Sequence, residues 1–159
     1  MEVKVRQKTL RMLSNGVYVL TSRNEDRYGA ATVTWVSQVS FKPPLIMAAV
    51  RRENNVFKCL TASRTAVLHI VGVDHQDIAR TFFYPTRAES GTINGEPFAA
   101  GRTMAPVIAS LPAHIECRVD QILDTDGDHA LVILGVLEAE CGERLRPLTV
   151  ADTPWEYGG

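Results

Sequence analysis

The sequence has no surplus of either charge, no long apolar run and very little cysteine, and each absence removes a class of protein. Lys plus Arg number 17 and Asp plus Glu 18, a formal net charge of −1 over 159 residues. A chain so balanced lacks the basic excess that drives binding to a phosphate backbone, so no nucleic-acid partner is expected. No apolar run approaches the roughly 18 residues a membrane helix needs, so no membrane span is expected. The first six residues lead into mixed polar sequence rather than an apolar h-region, so no secretory signal is expected. The three cysteines, Cys59, Cys117 and Cys141, are odd in number and widely spaced, with no C-x-x-C pair. That is not a disulfide framework, and a reduced, cytoplasmic protein is the simplest expectation. Each cysteine is expected as a small buried apolar side chain.

Several catalytic signatures are missing too. There is no G-x-G-x-x-G and no G-x-x-x-x-G-K-S/T, so neither common phosphate-cradling loop applies. There is no H-E-x-x-H, and His69, His75, His114 and His129 are too scattered to suggest a metal site. No G-x-S-x-G elbow anchors a hydrolase triad. Asp124, Asp126 and Asp128 have the alternate spacing that opens a calcium loop. His129 then stands where that loop needs Gly, and Gly135 where it needs Glu, so an acidic turn is the better reading.

What is present is mostly strand. Residues 16–22 are β-branched and aromatic, residues 23–27 form a polar turn, and residues 28–39 return with many β-branched side chains, which reads as a hairpin. Residues 41–44 hold Pro43 and Pro44 and are expected to leave the ladder, because proline has no N–H to give. Residues 45–50 are a short apolar strand. Asn54 or Asn55 caps a helix to about Ser63, with Val56 and Leu60 one turn apart. Residues 66–71 are a strand, and Asp74 caps a second helix to about Phe83. Residues 84–105, rich in Gly and Pro, read as a long loop. Strands return at 113–119 and 129–140, and residues 153–159 read as irregular.

No linker divides the chain, so one domain over residues 1–159 is expected. Short connections argue for antiparallel pairing, since a parallel pair needs a crossover of a dozen or more residues. The sum is a mainly β protein whose antiparallel sheet curls into a barrel, with two or three helices outside. The strands are apolar on both faces. The helices cover part of the outer face, and a second copy is the natural cover for the rest, so a homodimer is expected.

The segment Thr32-Val33-Thr34-Trp35-Val36-Ser37-Gln38-Val39-Ser40-Phe41-Lys42-Pro43-Pro44 is dense in hydroxyls and amides. Taken alone it fits a polar, half-exposed edge strand as well as a ligand-binding strand. Further features accompany it in order: residues 16–21, the strand ending Ala49-Val50, residues 101–107, residues 116–119, Gly127-Asp128-His129 and residues 155–159. With these, the chain resembles the flavin reductase-like family from about Leu13 onward.

The resemblance implies an antiparallel, Greek-key, FMN-binding split β-barrel that forms a homodimer. It implies hydride transfer from NADH or NADPH to FMN, with a separate monooxygenase or electron-transfer protein as recipient. The alternative is an FMN-binding electron carrier reduced by a partner protein, without direct NAD(P)H oxidation. A third reading is a split barrel that has lost flavin. By resemblance, residues 32–40 lie along the flavin. Thr32, Thr34, Ser37 and Ser40 then bring short hydrogen-bonding side chains, and backbone groups around Val33 can reach the ring. Trp35 packs on the ring, in the core or at a dimer contact, and Gln38 is a weaker candidate. Arg51 is the first candidate for the phosphate, with Asn54 and Asn55 at the following helix start. At Asn54-Asn55 the chain departs from the Ser/Thr-His pair common in the family. A lone histidine is usually structural, but the resemblance sets His129 near flavin and nicotinamide, as the one catalytic or positioning candidate. Phe82 and Phe83 read as core, with a nicotinamide-flanking role as the alternative. No metal is expected.

Overall fold

A computed structural model describes residues 1–142 and 144–159. The elements are α1 (Val3–Leu10), β1 (Tyr18–Asn24), β2 (Arg27–Val33), β3 (Val36–Phe41), β4 (Pro44–Arg51), α2 (Asn55–Ser63), β5 (Thr65–Ile70), α3 (Gln76–Thr81), β6 (Ala88–Glu89), β7 (Thr92–Ile93), β8 (Glu96–Ala100), β9 (Pro106–Ile108), β10 (Ala113–Leu123) and β11 (His129–Cys141). The fold is mainly β and antiparallel with three α-helices, as expected, and its main sheet is curled but not closed.

Seven strands run in the order β2-β1-β5-β10-β11-β4-β3. One apolar cluster lies between this sheet and α2. It joins Leu20, Leu68, Val50, Val132 and Leu134 to Val56 and Leu60, the two helix positions that repeat every turn. A second cluster joins Val17, Val19 and Val71 to Ile93, Ile108 and Leu148 under the small sheet β6-β7-β8-β9. Gly29 of β2 sits hard against the first turn of α2. A Cβ there would be 2.4 Å from Val56 Cα and 2.5 Å from its backbone N.

The structure corrects several expectations. Residues 28–39 are not one strand: β2 ends at Val33, and β3 pairs with β4 instead of β1. Phe41 and Pro44 stay in the ladder as the last pair of the β3–β4 hairpin, around a cis Lys42–Pro43 bond. Pro44 is the first residue of β4, and the pairing of β4 with β11 begins only at Leu45, so its missing N–H costs no bond to β11. Asp74 does not cap a helix: it lies in a 3₁₀ turn closed by the Gly72 N–H donating to His75 Nδ1, and α3 begins after it. Residues 84–105 are not a long loop but carry β6, β7 and β8. Their two-residue turns are Ser90-Gly91 and Asn94-Gly95, all four at positive φ, which suits tight hairpins. Helix α1 had no sequence expectation, because it buries no side chain and shows no apolar stripe. Cys59 and Cys117 are buried, and burial pushes the Cys117 thiol up to about 12. Cys141 is exposed at the end of β11.

Candidate functional site: a cavity at the split of the barrel

β2 and β3 are consecutive in the chain but occupy opposite edges of the sheet. Only Thr34 and Trp35 carry the backbone across that split. The Trp35 C=O accepts from the Ala49 N–H at 2.9 Å, which ties the crossing to β4. A cavity of about 630 Å³ opens beside it. One wall is β2, through Ala30, Ala31 and Thr32, together with Thr34. A second is the end of β4 and the start of α2, through Arg51, Glu53, Asn54 and Asn55. A third is the segment after α3, from Phe82 to Thr86, and the last comes from Trp155, Glu156 and Tyr157. A small adjoining recess adds Val33, Trp35, Ala49 and His129.

The open edge of β2 is held by α3 and by that third wall. Thr32 N–H donates to Phe82 C=O at 3.3 Å, and Thr32 Oγ1 donates to Ala79 C=O at 2.6 Å. The Ala30 N–H donates to Thr86 Oγ1 at 3.1 Å. Thr34 differs. It is 8% exposed, and among the described residues its Oγ1 is the buried side-chain polar atom without a hydrogen-bond partner. An unsatisfied buried hydroxyl costs about 1–3 kcal/mol, and Thr34, which bears it, is one of the residues lining the cavity.

At the other end of the site Arg51 closes β4, directly across the ladder from His129. Its Nη2 is 3.2 Å from Glu53 Oε1 and 3.9 Å from Asp128 Oδ2. Asn54 is the N-cap of α2 but makes no side-chain capping bond. The first-turn N–H groups of α2 therefore lack that cap, and they lie beside Arg51 at the positive end of the helix dipole. His129 Nδ1 is 2.6 Å from Asp128 Oδ1. The hydrogen bond from His129, then its charge and that of Arg51, hold the Asp128 carboxyl below the usual carboxylate range. The His129 ring lies 4.7 Å from that of Trp35, which in turn lies 5.6 Å from Tyr157. On the far wall Phe83 meets Trp155 edge-on at 4.8 Å. Burial raises the Tyr157 hydroxyl above its ordinary pKa.

Of the residues expected from sequence, Thr32, Thr34, Arg51, Asn54 and Asn55 line the main cavity, and Val33, Trp35 and His129 line the recess. Ser37, Gln38 and Ser40 lie apart from both, on edge strand β3. There Ser37 Oγ donates to Gln38 C=O and Gln38 Nε2 donates to Ser40 C=O. Phe82 is buried in the core and also lines the cavity. Sequence reasoning did not place Tyr84, Pro85, Thr86, Trp155, Glu156 or Tyr157 in the site. For the last three a signal existed, since residues 155–159 belong to the family resemblance. No cluster of metal-ligating side chains occurs among the described residues. No helix among them is long and apolar enough to cross a membrane.

A split barrel with a polar cavity at its seam defines the class of protein, and sequence comparison gives the family. Residues 10–155 match the flavin reductase like domain, so the chain belongs to that family. It is 32% identical over 128 residues to the flavin reductase (NADH) of Kitasatospora aureofaciens, covering 79% of this chain and 65% of that one. It is 30% identical over 124 residues to the NADH:FMN oxidoreductase of Rhodococcus erythropolis, covering 78% and 63%. It also matches proteins named as diflavin flavoproteins in Synechocystis sp. and Nostoc sp., of whose length it spans 21–22%. Among solved structures it superposes on BorF, the flavin reductase component of a bacterial two-component tryptophan halogenase. That match has a TM-score of 0.74 and 26% identity, and covers 89% of this chain and 88% of that one.

Proposed function

We propose that the protein binds FMN in this cavity and reduces it with NADH or NADPH, passing the reduced flavin to a separate monooxygenase-type partner. The observation that carries the reading is the cavity of about 630 Å³ at the split, with Arg51 and the start of α2 at one end and Thr34, whose hydroxyl has no partner, in its lining. The remaining donors fit the same ligand. Thr34 and the backbone at the β2–β3 crossing face the polar edge of a planar ring system. The Arg51 guanidinium and the first turn of α2 meet a phosphate at the other end. When bound, the flavin supplies the ring that accepts hydride from a nicotinamide.

The protein's own part is binding, orientation and exclusion of water. Phe83, Trp155 and Tyr157 wall the cavity with aromatic surface. Asp128 holds the His129 imidazole by Nδ1, which fixes its orientation beside Trp35. His129 is a positioning group in this reading, since hydride passes directly between the two rings. The partner proposal is supported by the likeness to BorF, the flavin reductase component of a two-component tryptophan halogenase.

A homodimer is part of the proposal. The face of the β4–β11–β10 sheet turned away from the core carries Leu45, Met47, Leu131, Ile133 and Leu123, none of them fully buried. Size exclusion with light scattering checks this: a particle of 17.5 kDa overturns it.

The direct test is an anaerobic absorption spectrum with equimolar FMN, before and after NADH and then NADPH. A shifted flavin band that bleaches supports the reductase. A shifted band that stays yellow with both favours the electron carrier. An unshifted band overturns the flavin reading.

Two substitutions test the residues. Thr34→Val removes only the orphaned hydroxyl. It should raise the stability of the flavin-free protein by about 1 kcal/mol and weaken FMN binding about tenfold. Urea unfolding and flavin titration measure the two, and equal or same-signed effects would make Thr34 an ordinary core residue. Arg51→Ala should weaken FMN binding by about 1.5 kcal/mol or more, the scale of a charged hydrogen bond. An unchanged dissociation constant would put the phosphate elsewhere.

A further inference from the structure

Helix α1 buries none of its side chains, so the hydrophobic core gives no reason for its place. Two residues, Gln7 within it and Arg11 at its end, meet residues 156–159. Arg11, which ends the helix, donates from Nε to the Gly158 C=O at 2.9 Å and from Nη1 to Glu156 Oε2 at 3.1 Å. A Cβ on Gly159 would lie 2.9 Å from Gln7 Cα, so the backbone at 159 rests directly on the helix. Among the described residues, the hydrogen bonds to 156–158 come from Arg11 alone.

That segment has no ladder of its own, yet it supplies one wall of the cavity. Trp155 is fixed separately, by its N–H donating to Thr153 Oγ1 and by Phe83. Tyr157, two residues on, stands over the Trp35–His129 corner. We infer that Arg11 is a positioning residue for the flavin site: its two-point grip on Glu156 and Gly158 holds Tyr157 in place as the wall over Trp35 and His129. This rests on the flavin reading above. A guanidinium suits the task because its planar fork can hold a carboxylate and a carbonyl at once, whereas an exposed ion pair alone contributes little. Without it, residues 156–158 lose the hydrogen bonds they accept from the helix, and the wall loosens.

The test uses the full chain with Arg11→Met, Arg11→Lys, Tyr157→Ala and the double variant Arg11→Met/Tyr157→Ala. In the flavin-free protein, Arg11→Met should reduce the near-ultraviolet circular dichroism from the Tyr157–Trp35 contact and raise acrylamide quenching of tryptophan. The urea midpoint should stay unchanged, because α1 carries no core residue. FMN titration should show binding weakened about threefold to tenfold, partly restored in Arg11→Lys, and no weaker in the double variant than in Tyr157→Ala. An unaltered near-ultraviolet spectrum, an FMN dissociation constant equal to wild type, or the same loss in the Tyr157→Ala background would each overturn the inference. If wild-type protein binds no FMN, the flavin reading fails. The flavin-free spectra then still decide whether Arg11 holds the segment.

Discussion

Lowering the pH from 7 to 5 is expected to remove about 2 kcal/mol of folding stability through one side chain, His69. The imidazole is fully buried, with Nδ1 3.0 Å from the Val19 C=O and Nε2 accepting from the Ile108 N–H at 2.9 Å. That pattern puts the proton on Nδ1 and leaves no room for a second one on Nε2. Burial is the main cause that lowers its pKa to about 4. The carbonyl of Val19 works against the shift, and His114, whose ring lies 6.0 Å away, adds to it. The folded pKa lies below the unfolded value of about 6.5, so the contribution is complete above pH 6.5. Below that the unfolded chain takes up a proton that the native protein refuses, and stability falls until about pH 4, where the loss reaches roughly 3 kcal/mol.

Glu116 faces the same region from β10. Burial alone would raise its pKa, but the N–H and hydroxyl of Thr103 and the N–H of Arg102 outweigh that and hold it below the usual range. Its share of stability is therefore intact above the ordinary carboxylate pKa of about 4.5 and is lost below it, overlapping only the acid end of the His69 window. Urea unfolding at a series of pH values measures the slope. Histidine NMR titration assigns it: a His69 ring that takes up a proton near pH 6.5 in the native protein would remove the cause.

His69 also shows where sequence reading reaches its limit. In the sequence it is one of four scattered histidines, and nothing nearby announces that β9 returns across β5 to meet it. The long strands were legible because β-branched runs bounded by turn residues state their own conformation, as in β1, β4, β5 and β11. The turns of β6 to β8 were legible too, in Ser90-Gly91 and Asn94-Gly95. They were missed because strands of two residues carry no periodicity. α1 could not be read from apolar pattern, since it has no buried face.

The site divides in the same way. Arg51, Asn54 and Asn55 follow from chemistry at a strand end and a helix start. Thr34 could not be singled out from Ser37 or Ser40, equally polar and a few residues away. What separates them is that the chain breaks at Thr34-Trp35 to cross the split, after which β3 lies exposed at the edge. Trp155 and Tyr157 enter the cavity from 120 residues further along, through contacts that no local pattern encodes.

The seam depends as well on how closely α2 approaches β2, and Gly29→Ala should show it. The added Cβ would lie 2.4 Å from Val56 Cα, 2.5 Å from Val56 N and 2.7 Å from Asn55 C. All three are backbone atoms, so no side chain can swing aside. An ordinary contact needs about 3.4 Å or more, so the start of α2 must retreat by about 1 Å, dragging Val56 and Leu60 from the core. The cost should be on the order of 3 kcal/mol or more, a fall in melting temperature of roughly 10 °C for a chain of this size. The same retreat moves Asn54, Asn55 and the turn from Arg51, which in the proposed function meet the phosphate. FMN binding by the folded variant should therefore weaken about tenfold or more, measured well below its melting temperature. Gly95→Ala separates the two effects. A Cβ there meets nothing within 4 Å, so it touches no cavity residue, but φ is +84°, so the cost is backbone strain of about 1 kcal/mol, with FMN affinity unchanged. If Gly29→Ala melts no lower than Gly95→Ala and binds FMN as well as wild type, the close approach of α2 to β2 is not what sets the phosphate end of the site.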